Sequence, residues 1–139
     1  MWVVVHLYTG LGLGLLPLPY WSLVLVVLAS HLFLDVVPHW DYTHSAHPIR
    51  WGALDFGAAL LTVIAGYVAF GAPLRLLALG ILAAAPDFDV LVDILRHSRG
   101  QYWWPGHRPS FPHGSAAPLP GIATQAVVVI AAAAALALH

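Results

Sequence analysis

Residues 20–42 read YWSLVLVVLASHLFLDVVPHWDY, and this stretch decides the fold. As far as Val37 it is apolar except for Ser22, Ser30, His31 and Asp35, and Pro38 then stops it. A helix of about 20 apolar residues covers the hydrocarbon thickness of a bilayer. Within that grease, His31 and Asp35 stand at i and i+4, so one helix face presents an imidazole and a carboxylate, one above the other. Ionisable groups in such surroundings are expensive and are rarely kept without a use.

The rest of the chain is of the same kind. Of its 139 residues, 60% are hydrophobic and only 8% charged. A water-soluble domain carries about a quarter charged residues, so a membrane protein with a single domain over residues 1–139 is expected. Every cation is arginine and every anion aspartate. A net charge of −1 gives no reason to expect nucleic acid as a partner. There is no cysteine, which excludes thiolate ligands and leaves imidazole and carboxylate for any metal. The N-terminus lacks a basic region and is interrupted by His6, so it does not read as a signal peptide.

Working outward, the sequence predicts an all-α polytopic membrane bundle of four or five transmembrane helices. The expected segments are residues 2–16, 20–37, 51–70, 74–95 and 121–138. The first is short and rich in glycine (Gly10, Gly12, Gly14), which suits close helix contact. Pro86 is expected to kink or break the fourth. The alanine run Ala131 to Ala135 in the last carries no chemistry. Polar loops cover residues 38–50 and 96–120 and fall on one face of the bundle. That face holds Arg50, Arg96, Arg99 and Arg108, against Arg75 alone on the other. The positive-inside rule then puts the N-terminus and both long loops in the cytoplasm, and the protein in an inner, cytoplasmic-type membrane as a multi-pass protein. The same alternation gathers His6, His31, Asp35, Asp55, Asp87, Asp89 and Asp93 near one level.

Several groups there have the chemistry of metal ligands. Asp35 can share an ion with His31 or orient it, the plain alternative being a hydrogen-bonded latch. Pro86-Asp87-Phe88-Asp89 places two carboxylates at a helix break, where helix capping is the plain alternative. Gly106-His107-Arg108 and His113 lie in the long loop, where the histidines can close over a site and Arg108 can grip an anion bidentately. His6 reads equally as a ligand or as a satisfied core histidine. His39 and Asp41 can reach the ion of Asp35; Asp93 can add a ligand or face water; Asp55 can pair with an arginine. Trp40, Tyr42, Trp103 and Trp104 read as an interfacial aromatic belt.

These residues resemble a known group. Gly106-His107-Arg108, Pro86-Asp87-Phe88-Asp89 and Ser30-His31-x-x-x-Asp35 are similar to motifs of the small inner-membrane proteins called LexA-regulated, membrane-bound metal-dependent hydrolases. The runs His6-Leu7-Tyr8-Thr9-Gly10 and Ser30 through Tyr42 also resemble a set of uncharacterised bacterial membrane proteins. The motif order is permuted, Val90 stands where that family has a histidine, and the loop histidines are six apart instead of five. The resemblance implies metal residues at His6, His31, Asp35, Asp87, Asp89, His107 and His113.

The expected function is a metal-dependent hydrolase at the cytoplasmic bilayer face, acting on an amphiphilic, lipid-like substrate such as a phosphoester. Its metal is divalent, zinc first, with manganese or iron as alternatives, and two or more carboxylates leave room for a two-metal site. His31, Asp35, Asp87, Asp89 and His6 are the expected ligands. His107 and His113 complete the shell or move protons, and Arg108 holds the substrate anion. The alternative is a non-catalytic membrane protein with a structural His/Asp metal clamp, or an ion-handling protein. A clamp predicts a closed site, and a hydrolase an open one beside a cleft.

Overall fold

The computed structural model describes residues 1–96 and 102–139, so Arg99 of the charge argument lies outside the described residues. Among those residues the chain is all-helical: α1 (Val3–Leu13), α2 (Tyr20–Val36), α3 (Pro48–Val68), α4 (Leu74–Ala84), α5 (Phe88–Arg96) and α6 (Pro118–Ala137). A 3-10 turn at Ala85–Asp87 joins α4 to α5, making one bent rod. The bend has a local cause. Pro86 has no N–H to return to the carbonyl four residues back, and the ladder tightens around it. Proline also sets the helix starts: Pro48 and Pro118 sit in the first turns of α3 and α6, where a missing N–H costs nothing. Gly71, with φ of 60°, turns the chain from α3 to α4 in a conformation that suits glycine.

The first helix is the hub. α1 packs against α2, α3, α4 and α6. Its 11 residues make a rod about 16 Å long, about half the hydrocarbon thickness of a membrane. α1 is therefore a short central helix, not the spanning segment expected at residues 2–16. Gly10 lets it touch α4 closely: a Cβ there would lie 2.6 Å from Ala83 Cβ and 2.7 Å from the Leu79 carbonyl oxygen. Val3, Leu7, Leu11, Ala59 and Leu77 form the core around it. Of the five expected spans, two helices are long and apolar enough to cross a membrane, α3 and α6. α2 is apolar but, at 17 residues, shorter.

The start of α1 is held by side chains from distant helices. Asp55, buried in α3, accepts the backbone N–H of Val3 at 2.8 Å and of Val4 at 2.9 Å, and the Tyr42 hydroxyl at 3.1 Å. The first N–H groups of a helix have no partner within it, and a carboxylate there also meets the positive end of the helix dipole. Asp55 thus caps another helix in place of the expected pairing with arginine. Gln125 of α6 accepts the Trp2 N–H at 2.9 Å and donates to the Trp40 carbonyl at 3.2 Å. Trp40, Tyr42 and Trp51 each pack a ring on Trp2, with centroids 5.9–6.0 Å away. Tyr42 is buried, so Trp40 and Tyr42 clamp the beginning of α1 instead of forming an outward belt. Trp104 also turns inward, edge-on to the His31 ring, while Trp103 stays exposed.

Asp55→Ala would leave two buried N–H groups unpaired, a loss of about 1–3 kcal/mol for each buried donor. The expected result is a lower melting temperature in detergent, with Asp55→Asn, which keeps an acceptor, falling less. Equal melting of all three proteins would refute the cap.

Candidate metal centre

Four parts of the chain send polar side chains to one buried point. His6 comes from the second turn of α1. His31 and Asp35 come from the last turns of α2, separated by one helical turn. Asp87 comes from the 3-10 turn, which Pro86 helps to form and which aims the carboxylate inward. His107 comes from the loop before α6, in a short 3-10 turn of its own at Pro105–His107. The side chains of His6, His31, Asp35 and Asp87 are buried, and that of His107 is nearly so.

The distances describe a shell of donors around one point. Asp35 Oδ2 lies 3.3 Å from both His31 Nε2 and His107 Nε2, and Asp35 Oδ1 lies 3.4 Å from His6 Nε2. Asp87 Oδ1 lies 3.5 Å from His107 Nε2 and 3.8 Å from His31 Nε2, and its Oδ2 lies 3.8 Å from His6 Nε2. Ligands held about 2.0–2.2 Å from a common cation stand roughly 3–3.5 Å from one another, so the spacing matches with a few tenths of an ångström to close. Two overlapping sets could each hold an ion: His6, His31 and Asp87, and His31, Asp35 and His107. The Met1 nitrogen also lies 2.7 Å from Asp35 Oδ1.

The outer hydrogen bonds decide which ring atoms face inward. His31 Nδ1–H donates to the Ala83 carbonyl at 2.7 Å, and His107 Nδ1–H to Asp89 Oδ1 at 2.6 Å. With those protons on Nδ1, both Nε2 atoms carry lone pairs, and they face each other at 3.3 Å. Lone pairs that close, flanked by two carboxylates, require a cation or a proton between them. His6 Nε2, Asp35 Oδ2 and Asp87 Oδ2 are buried without a hydrogen-bond partner, although each lies within 4 Å of opposite groups. Such orphans are costly unless something absent from protein–protein hydrogen bonding satisfies them. The donor set is nitrogen and oxygen only, and it fits a divalent metal.

The remaining expected residues take other places. Asp89 accepts from His107 on one oxygen and from the Trp104 backbone N–H at 2.8 Å on the other. It lies behind the candidate ligand His107 and fixes that ring, as the outer partner of a metal-binding histidine usually does. His113 lies beside His39 and Asp35. Arg108 is exposed, its guanidinium 3.4 Å from the Trp103 carbonyl oxygen. Asp93 accepts from the Tyr102 hydroxyl at 3.4 Å, and Asp41 accepts the Thr43 N–H at 2.8 Å. A cleft of about 860 Å³ opens on this end of the molecule, with Asp87, His107, Arg108, His113 and Asp93 on its walls. The buried shell therefore has an open side.

Sequence reasoning missed the roles of Asp55, Gln125 and Asp89 as positioning groups. Only Asp89 carried a signal, its two-residue spacing from Asp87, which puts the carboxylates on different sides of the helix that follows. No family model matches the chain, and neither does any curated protein or solved structure.

Asp89→Asn is expected to weaken metal binding about 10–100-fold, the usual cost of losing an outer carboxylate. Chelator competition on the purified protein measures it, and an unchanged affinity would remove Asp89 from the site. The metal-free site also has a pH signature. Burial pulls the His107 imidazolium down, but hydrogen bonds to Asp35 and Asp89 and the charge of Asp87 outweigh it and push its pKa up to about 9. A folded-state pKa raised above the ordinary 6.5 stabilises the fold fully below that value and loses the effect as pH rises through 9. Metal-free protein should therefore lose thermal stability between pH 6.5 and 9, and His107→Gln should flatten that part of the curve.

Proposed function

We propose that this chain is a multi-pass membrane protein that carries a metal-dependent hydrolase site at the cytoplasmic bilayer face. The observation that carries the reading is the meeting of three imidazole nitrogens and two carboxylates, several of them orphaned, with Asp87 and His107 among them lining an open cleft. A closed structural clamp would have no use for that opening.

The membrane half of the proposal rests on the outer surface. α3 and α6 are apolar, yet only 17% and 11% of their most apolar windows are buried. Large side chains such as Phe33, Leu61, Val68, Phe70 and Val127 point outward. A soluble monomer rarely exposes contiguous apolar surface on this scale. Lipid covers it at no cost, since helices satisfy their own backbone groups. The segment after His113 packs along the end of α2, and the arginines of the polar loops, Arg50, Arg96 and Arg108, favour a cytoplasmic side for that end. α1 and α2 then sit among the longer helices, with the shell near the membrane surface.

A bound divalent cation, zinc first and manganese or iron as alternatives, would supply a Lewis acid that lowers the pKa of water and polarises phosphoryl or acyl oxygens. His6, His31, Asp35, Asp87 and His107 would hold it. Asp89 keeps the His107 ring turned with Nε2 inward. Arg108, at the cleft wall, binds the substrate's anionic group. His113, also on the wall, either completes the donor shell or moves a proton at the leaving oxygen. A site opening beside a lipid-covered surface favours an amphiphilic substrate, most simply a phosphoester. The resemblance to the small inner-membrane metal-dependent hydrolases points the same way.

The test is metal analysis of detergent-purified protein, followed by phosphate-release and ester-hydrolysis assays on lipid substrates. Wild type is expected to retain stoichiometric metal and to lose activity with a chelator. His31→Ala and Asp87→Ala should lose metal and activity together. Arg108→Ala should keep the metal and raise KM. Equal trace metal in wild type and both ligand variants would end the proposal. Full metal with no turnover would favour the structural clamp.

A further inference from the structure

A second donor set lies against the first and shares one carboxylate with it. His39 follows α2 and is fully buried. Its Nδ1–H donates to the Val37 carbonyl at 2.8 Å, which leaves Nε2 with its lone pair. That Nε2 is buried and has no hydrogen-bond partner. The His113 ring stands edge-on to it with centroids 4.8 Å apart. Asp35, His39 and His113 each offer a ligand atom within 4.8 Å of the others.

The loop that carries His113 is seated by design of the backbone. Gly114 N–H donates to the Asp35 carbonyl at 2.7 Å, and Ala116 N–H to the His39 carbonyl at 2.9 Å. These bonds lash residues 113–116 along the end of α2. A side chain at Gly114 would collide with the carbonyl oxygens of Val36 and Val37, so only glycine allows this approach. His113 is exposed and lines the cleft, whereas His39 and Asp35 are buried beneath it.

We propose that the centre is dinuclear, with a second divalent cation held by Asp35, His39 and His113 and the Asp35 carboxylate bridging the two ions. This rests on the reading that the first donor set holds a metal. The second ion has one ligand on the cleft wall and so keeps positions open toward substrate. Paired cations of this kind would stabilise both the attacking and the leaving oxygen of an in-line displacement, an arrangement suited to a phosphoester substrate.

Full-length protein in detergent, loaded with manganese or zinc and freed of excess, is measured for metal content and by X-ray absorption. Two equivalents per chain are expected in wild type, with a metal–metal vector of about 3.5–4 Å. His39→Ala and His113→Ala should hold one equivalent and lose the vector. One equivalent in wild type, with no vector, overturns the second ion and leaves the first centre standing. Two equivalents in both variants likewise overturn this ligand assignment. Absence of metal from wild type defeats the first centre and the second with it. The wild-type count and vector decide the matter even where a variant fails to fold.

Discussion

The carboxylate of Asp35 is the point on which the structure turns. It is fully buried, and four separate parts of the chain reach it: the N-terminal segment, α1 through His6, α2 through His31, and the long loop through His107. Even its backbone carbonyl is used, to seat Gly114. A charge in so dry a place is tolerated only when it is compensated, and removing its partners would leave an isolated buried ion. The packing of α1 at the centre, the inward turn at Pro86 and the folding back of the loop over α2 all supply that compensation. A cation at the same point would complete it, because the nitrogen lone pairs and carboxylates cannot satisfy one another.

The helices make this possible through differences in length. A short α1 brings His6 to the polar end while its other residues fill the core among longer neighbours. Its beginning must then be stabilised away from bulk water. Asp55 and Gln125 do this from α3 and α6, and the ring cluster of Trp2, Trp40, Tyr42 and Trp51 shields the junction. The cap and the donor shell are therefore one assembly, since a shift of α1 moves His6.

The position of the shell also shapes its chemistry. Buried donors below and a cleft above give a site that is closed on one side and open on the other. Pre-set donors in a water-poor floor act strongly because the local dielectric is low. The exposed apolar surface of the bundle is what supports proposing a substrate with an anionic head and an apolar tail.

The periodicity, the prolines and the absence of other donor types made much of this readable in advance. The i, i+4 pair His31 and Asp35, the break at Pro86 with Asp87 beside it, and His107 in the loop were all conspicuous as polar groups in an apolar chain. Pro38 and Pro73 marked helix boundaries, whereas α3 and α6 begin at Pro48 and Pro118, ahead of the expected starts at 51 and 121. Sequence alone determined the helical class and the candidate donors, because both are local properties of side-chain type and spacing. Tertiary structure decided the rest: that α1 is a central strut, that Asp55 caps a different helix, that Asp89 stands behind His107, and that His39 meets His113 across Asp35. Those relations depend on which helix faces touch, and spacing along a chain says nothing about distance between residues 31 and 107 until packing brings them together.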